Sequence, residues 1–84
     1  MEKTITVTVR CFSLVSDALG KSAFELDLPH GATAKLVLEK VRERMPAELN
    51  ALPIRIAVNQ EYILGDAELQ HQDEVALIPP VSGG

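Results

Sequence analysis

The 84-residue chain has no tryptophan, one tyrosine, two phenylalanines and one cysteine. With Cys11 alone, no internal disulfide can form. Cys11 ends an apolar run, where a small buried hydrophobe is the ordinary role; a nucleophilic thiolate would need an activating base or cation beside it, and strand alternation points the neighbouring Arg10 to the opposite face. No apolar stretch approaches membrane-spanning length. Met1-Glu2-Lys3-Thr4 leads straight into a strand pattern without the apolar core of a signal peptide, so the expected compartment is the cytoplasm. His30 and His71 are the only histidines, and neither has a His or Cys at metal-ligand spacing. There is no phosphate loop, no G-x-S-x-G elbow, and no Ser/His/Asp set to assemble. The adjacent Asp73 and Glu74 would face opposite sides of a strand, a poor acid–base pair. The expectation is a chain that is non-catalytic on its own and binds no metal or cofactor.

What is present fits one small domain. A chain of this length hides only roughly 60% of its unfolded surface, so there is room for one modest core and one surface site. Aliphatic residues dominate the apolar set, as in an ordinary globular domain. The net charge is −4 and is unevenly spread. From Met45 onward six acids (Glu48, Glu61, Asp66, Glu68, Asp73, Glu74) face Arg55 alone, whereas the first 44 residues are nearly balanced. That disfavours nucleic acid, which needs clustered Lys and Arg, and suits a partner with a basic docking surface.

Periodicity then gives an element order. Thr4 to Cys11 alternates, with Ile5, Val7 and Val9 on one face and three threonines on the other, predicting a strand. Phe12, Val15 and Leu19 make a short helical stripe that Gly20 is placed to end. Ser22 to Leu28 alternates again, and Pro29-His30-Gly31 breaks the chain. Thr33 is positioned to cap a main helix whose apolar face is Ala34, Val37, Leu38, Val41 and Met45, with Pro46 expected to stop it. Glu48 to Pro53 reads as a connector. Ile54 to Val58 is a third strand, Asn59-Gln60 a turn, Tyr62-Ile63 a short return strand and Gly65-Asp66 another turn. Leu69 is expected to plug into the core, and Glu74 to Ile78 is a last strand with Val75 and Leu77 inward. The class is therefore α+β: a mixed sheet of about five strands packed on one main helix. The other sheet face stays partly bare, the natural place for a protein partner.

The chain closes on Leu77-Ile78-Pro79-Pro80-Val81-Ser82-Gly83-Gly84. Two glycines without a Cβ are thin enough to enter a narrow channel. The two prolines favour extended backbone at ~3.1 Å per residue, enough for Pro79 to Gly84 to carry the terminal carboxylate on the order of 18 Å outward. They also keep the last strand from continuing as a sheet edge. The expected division is a domain over 1–80 and a flexible tail over 81–84.

This segment resembles the C-terminus of the molybdopterin synthase small subunit, the MoaD/ThiS family of sulfur carriers. Ala57-Val58-Asn59-Gln60 and Asp73-Glu74-Val75 resemble two further family segments, and the likeness runs over essentially the whole chain. His71-Gln72 stands where the family has Asp-Gly, and Ile78 where an aromatic is common. The resemblance implies the ubiquitin-like β-grasp fold. It also implies that Gly84 is adenylated by a MoeB-like activating enzyme using ATP and magnesium. A persulfide sulfur then displaces AMP, leaving a thiocarboxylate. A MoaE-like large subunit would bind the chain with its tail in the active site, in a heterotetramer of two large and two small subunits. There the sulfur would pass to the pyranopterin precursor to build the molybdopterin dithiolene of the molybdenum cofactor, two charged carriers being used per pterin. Gly83 would keep the approach narrow. Docking would use Phe12, Tyr62 and Ile78, with Pro79, Pro80, Val81 and Ser82 lining the path. A thiamine-pathway sulfur carrier and a ubiquitin-like modifier joined to lysines share the same activation chemistry and stand as alternatives.

Overall fold

The computed structural model describes residues 3–47, 53–63 and 66–80. Elements follow in the order β1 (Thr4–Cys11), α1 (Ser13–Leu19), β2 (Ala23–Pro29), α2 (Ala34–Arg42), β3 (Arg55–Val58), β4 (Glu61–Ile63) and β5 (Glu74–Ile78). Residues 48–52 of the expected Glu48–Pro53 connector, Gly65 of the Gly65-Asp66 turn and the tail 81–84 lie outside the described residues.

The five strands form one sheet in the order β2-β1-β5-β3-β4. β1 pairs antiparallel with β2 and parallel with β5, while β3 lies antiparallel to both β4 and β5. Parallel pairing of the first and last strands requires a long crossover, and α2 lies within it. This architecture is the ubiquitin-like β-grasp.

Alternation decides which face is buried. Ile5, Val7, Val9 and Cys11 point to the core from β1, and Val75 and Leu77 from β5. Ala34, Val37 and Val41 meet them from α2, and Leu28, Ile56, Met45 and Leu69 complete the cluster. Each such Val or Leu contributes about 1.5–3 kcal/mol by leaving water. Leu69, 2% exposed, is the plug expected from its apolar character in a polar stretch.

The caps differ from the sequence reading in two places. Thr33 is the N-cap of α2, but its side chain makes no capping hydrogen bond. Instead the Ala34 N–H donates to the Ala67 carbonyl, because residues 67–69 cross the helix N-terminus and Leu69 N–H donates to the Ala32 carbonyl. Tertiary backbone thus satisfies the first N–H of the helix, an orphan donor that an N-cap side chain does not serve. Pro46 does not itself end α2, which stops at Arg42. Over Glu43–Met45 the turn tightens, with Arg44 N–H bonded to Val41 and Met45 N–H to Arg42. Pro46 therefore lies one tightened turn beyond the helix, and its restriction falls on Met45.

α1 begins at Ser13, one residue beyond the start of the expected stripe. Phe12 is its extended N-cap, and Gly20, in the left-handed region at φ 72°, closes it with its N–H on the Ser16 carbonyl. The stripe therefore splits. Val15 is fully buried, whereas Phe12 is 42% exposed.

Candidate functional site

The sheet face away from α2 carries the residues expected at a docking surface. The strand registers place Arg10 beside Ala76, Ala76 beside Ala57, and Ala57 beside Tyr62. One row of side chains thus crosses four strands, with two alanines at its centre. Ile78 is paired with Arg55 two residues further along β5 and β3. Small residues between large ones leave a shallow hollow of about 280 Å³, lined by Arg10, Phe12, Ala57, Gln60, Tyr62, Glu74, Ala76 and Ile78. Phe12, Tyr62 and Ile78, distant in sequence, meet around it.

Local structure explains why the two aromatics stand in solvent. Ser13 adopts φ 48°, a region that costs a non-glycine residue about 1–3 kcal/mol. The chain turns there directly after Phe12, and the Val15 N–H returns to the Phe12 carbonyl. Val15 enters the core while the Phe12 ring remains outside. Tyr62 is 65% exposed on edge strand β4, with the Arg55 guanidinium 5.2 Å from its ring centroid. That contact holds the ring over the sheet at little energetic gain in water. With Phe12 and Leu14, Tyr62 makes up the exposed large hydrophobics among the described residues.

The rim is polar. Arg10 Nη1 lies 3.5 Å from Glu74 Oε2 at the hollow's edge. Both side chains are well hydrated, so the pair contributes little to stability. Behind it sits a tighter clamp. Asn59 Nδ2 donates to Asp73 Oδ1 at 2.9 Å, Asn59 Oδ1 accepts from the Glu74 N–H at 3.0 Å, and the Asn59 N–H donates to the Glu74 carbonyl. Asp73 also accepts from the Gln70 N–H. Asn59 and Gln60 both have positive φ, 51° and 73°. That is the twist a two-residue hairpin needs, and asparagine tolerates it well. The segments Ala57–Gln60 and Asp73–Val75, singled out in the sequence, are therefore two halves of one joint that ties the β3–β4 turn to the start of β5, and β4 with Tyr62 follows from that turn.

β5 ends at Ile78, and the chain leaves the sheet through Pro79, which is buried, and Pro80, which is exposed. Pro79 anchors the root of the tail to the body. Val81, Ser82, Gly83 and Gly84 lie outside the described residues.

Cys11 is buried, and desolvation raises its thiol pKa above the ordinary 9.0. A protonated thiol in the core is a packing group. Among the described residues no set of three or more His, Cys, Asp or Glu side chains could hold a metal ion, and no helix there is long and apolar enough to cross a membrane.

Sequence reasoning missed the Arg10–Glu74 pair and Leu14, which is 43% exposed. Leu14 had a readable signal, being an apolar residue off the helical stripe. The ion pair had none, since its partners are 64 positions apart.

A β-grasp body with a bare apolar sheet face beside the root of its C-terminal segment defines a protein of the ubiquitin-like carrier class. The model of the ThiS family matches residues 9–84, and the chain belongs to that family. Relatives include a molybdopterin synthase sulfur carrier subunit of Dictyostelium discoideum, 38% identical with 87% of this chain and 90% of the relative covered. Another, of the same description, comes from Arabidopsis thaliana, at 31% identity with 96% and 85% covered. This places the chain among small carrier subunits that are not catalytic themselves. Among solved structures, a putative molybdopterin converting factor subunit 1 from Pyrococcus furiosus superposes with a TM-score of 0.80 at 28% identity, covering 92% of this chain and 99% of that one. The small archaeal modifier SAMP1 of Haloferax volcanii gives 0.79 at 25% identity, covering 94% and 99%. In fold, the chain also matches one chain of the complex of subunits 1 and 2 of the molybdopterin-converting factor from Helicobacter pylori, with a TM-score of 0.62 at 24% identity over 95% of this chain and 100% of that one.

Proposed function

We propose that this chain is the sulfur carrier of a molybdopterin synthase, with Gly84 as the residue that carries sulfur. The observation that carries the reading is that β5 ends at Ile78 on the edge of an exposed apolar hollow, and that Pro79-Pro80-Val81-Ser82-Gly83-Gly84 follow it in the sequence. A carboxylate is a poor acyl donor. A MoeB-like activating enzyme, using ATP and magnesium, joins the Gly84 carboxylate to AMP and releases pyrophosphate. The terminal sulfur of a persulfide then attacks the acyl carbon and expels AMP. A thiol reductant cleaves the resulting acyl disulfide to leave the thiocarboxylate. In the large subunit that sulfur attacks the pyranopterin precursor. The dithiolene needs two sulfurs, so two charged carriers are consumed per product, which suits a heterotetramer of two large and two small subunits.

This chain's part is presentation. Phe12, Tyr62 and Ile78 offer apolar area for successive partners, Pro79 fixes the direction of the tail, and Gly83 keeps the approach slender. The setting is cytoplasmic, where the partners and ATP are found. The intact mass of the chain after incubation with activating enzyme, ATP, magnesium and a persulfide donor tests the reading. A sulfur-for-oxygen mass increase, absent from a chain lacking Gly83 and Gly84, is the expected result. No increase in the full chain under conditions that charge a known carrier would overturn it.

The likeness to SAMP1 favours one second reading, a modifier joined to lysines through the same adenylated Gly84. A ladder of higher-mass conjugates in cells, lost on removal of the two glycines, would identify it.

A further inference from the structure

Leu14 and Asp17 are unexplained by the fold. The buried residue of α1 is Val15, and Leu14 beside it is 43% exposed. Asp17 follows Leu14 by three residues, so the two share a helix face. The Asp17 carboxylate makes no hydrogen bond or ion pair among the described residues. It also sits in the last turn of α1, where the helix dipole disfavours an anion, and no basic residue there offsets it. Asp17 is exposed, so its carboxylate is open to a partner.

Leu14 and Asp17 form one wall of a cleft of about 530 Å³, and Ile78, Pro79 and Pro80 form the other, with Phe12 between. Asp17 is the only charged group among the lining residues. Pro80 directly precedes the tail, so an enzyme that encloses residues 81–84 also covers this cleft. Covering it strips water from an unpaired carboxylate, which is costly unless the partner brings a cation.

We propose that the cleft receives an arginine or lysine side chain from the large subunit that takes up the tail. Its methylene stem lies on Leu14 and the prolines, and its charged head meets Asp17. An apolar trough ending in one carboxylate matches a side chain with an apolar stem and a cationic tip. The docking surface thus continues from the sheet face round Phe12 onto α1, and Asp17 sets the register of the tail. The proposal rests on the carrier reading above.

Calorimetric titration of the full chain against the large subunit of molybdopterin synthase from the same organism tests it. Asp17→Lys is expected to weaken binding by about 10-fold or more, and Leu14→Ala by about fivefold. Asp17→Asn is expected to flatten the dependence of affinity on salt, with a thermal midpoint no lower than wild type because the dipole conflict is relieved. Wild-type affinity in Asp17→Lys and Leu14→Ala, alongside weakened binding by Phe12→Ala, would overturn the proposal and leave the sheet-face reading intact. A fall in thermal stability of both Asp17 variants that matches their lost affinity would make the carboxylate structural and also overturn it. No binding by the wild-type chain, together with no thiocarboxylate at Gly84, would remove the carrier reading and the proposal with it.

Discussion

Along β5 the side chains of Val75 and Leu77 are wholly buried, while Ala76 and Ile78 look outward. The same strand therefore builds two surfaces of different chemistry. The α2 side is filled by branched aliphatics packed against a helix. The other side is alanine at its centre and Phe12, Tyr62 and Ile78 at its margin. The first face is chosen for density, and a missing methylene there leaves a void. The second is chosen for an unfilled hollow, and a change there leaves the body standing. Core packing and the open hollow are separated by a step of one residue.

Substitution across that step is the sharpest way to break the comparison. Leu77→Ala is expected to lower the unfolding free energy by about 2–5 kcal/mol, read from urea denaturation. If the neighbouring Ile78→Ala costs as much, the two faces are not distinct. Next in size is an effect on binding alone. Phe12→Ala should weaken capture by the large subunit by at least about 10-fold, as for an aromatic anchor that a partner encloses, while shifting stability by less than about 0.5 kcal/mol. A large loss of stability would return Phe12 to the core. The joint between the faces comes third. Asn59→Ala removes two side-chain hydrogen bonds and a residue suited to positive φ, and should cost about 1–2 kcal/mol in the same denaturation assay. Tyr62, displaced with the β3–β4 turn, should then bind the partner less well.

The smallest effect concerns Cys11. Its folded pKa lies above the unfolded value of 9.0 because burial disfavours the thiolate. As pH rises past 9.0 the unfolded chain releases this proton first, so the thiol's contribution to stability, complete below 9.0, is lost as pH climbs through the folded value. In native buffer a thiol reagent should label Cys11 only at the rate of unfolding, and fast labelling at neutral pH would show that the core face is open there.

Most of the architecture was legible in the order of residues. Period-two runs at Thr4–Cys11 and Glu74–Ile78 and the 3.6-residue spacing over Ala34–Val41 reflect burial of one face, and the structure keeps them. Phe12 was harder, because its spacing to Val15 suits a helix face and only the turn at Ser13 detaches it. Thr33 is the N-cap of α2 as its position suggests, but its side chain makes no capping bond, and the Ala67 carbonyl that accepts from Ala34 is remote in sequence. Phe12, Tyr62 and Ile78 are expected at a docking face through the family resemblance and the prolines are legible in the residues themselves, whereas Leu14 carries only a weak signal and Asp17 and the Arg10–Glu74 pair emerge in three dimensions.

By itself, the sequence determined which residues face inward along the main strands, where the main helix runs, and that Gly83 and Gly84 follow Pro79 and Pro80. Those are local matters, settled by side-chain period and backbone freedom. The tertiary structure decided the strand order, the row from Arg10 through Ala76 and Ala57 to Tyr62, and the cleft between α1 and Pro79–Pro80. These depend on contacts between distant segments, which no spacing along the chain encodes. They hold because the shared core and the Asn59–Asp73 joint allow one register.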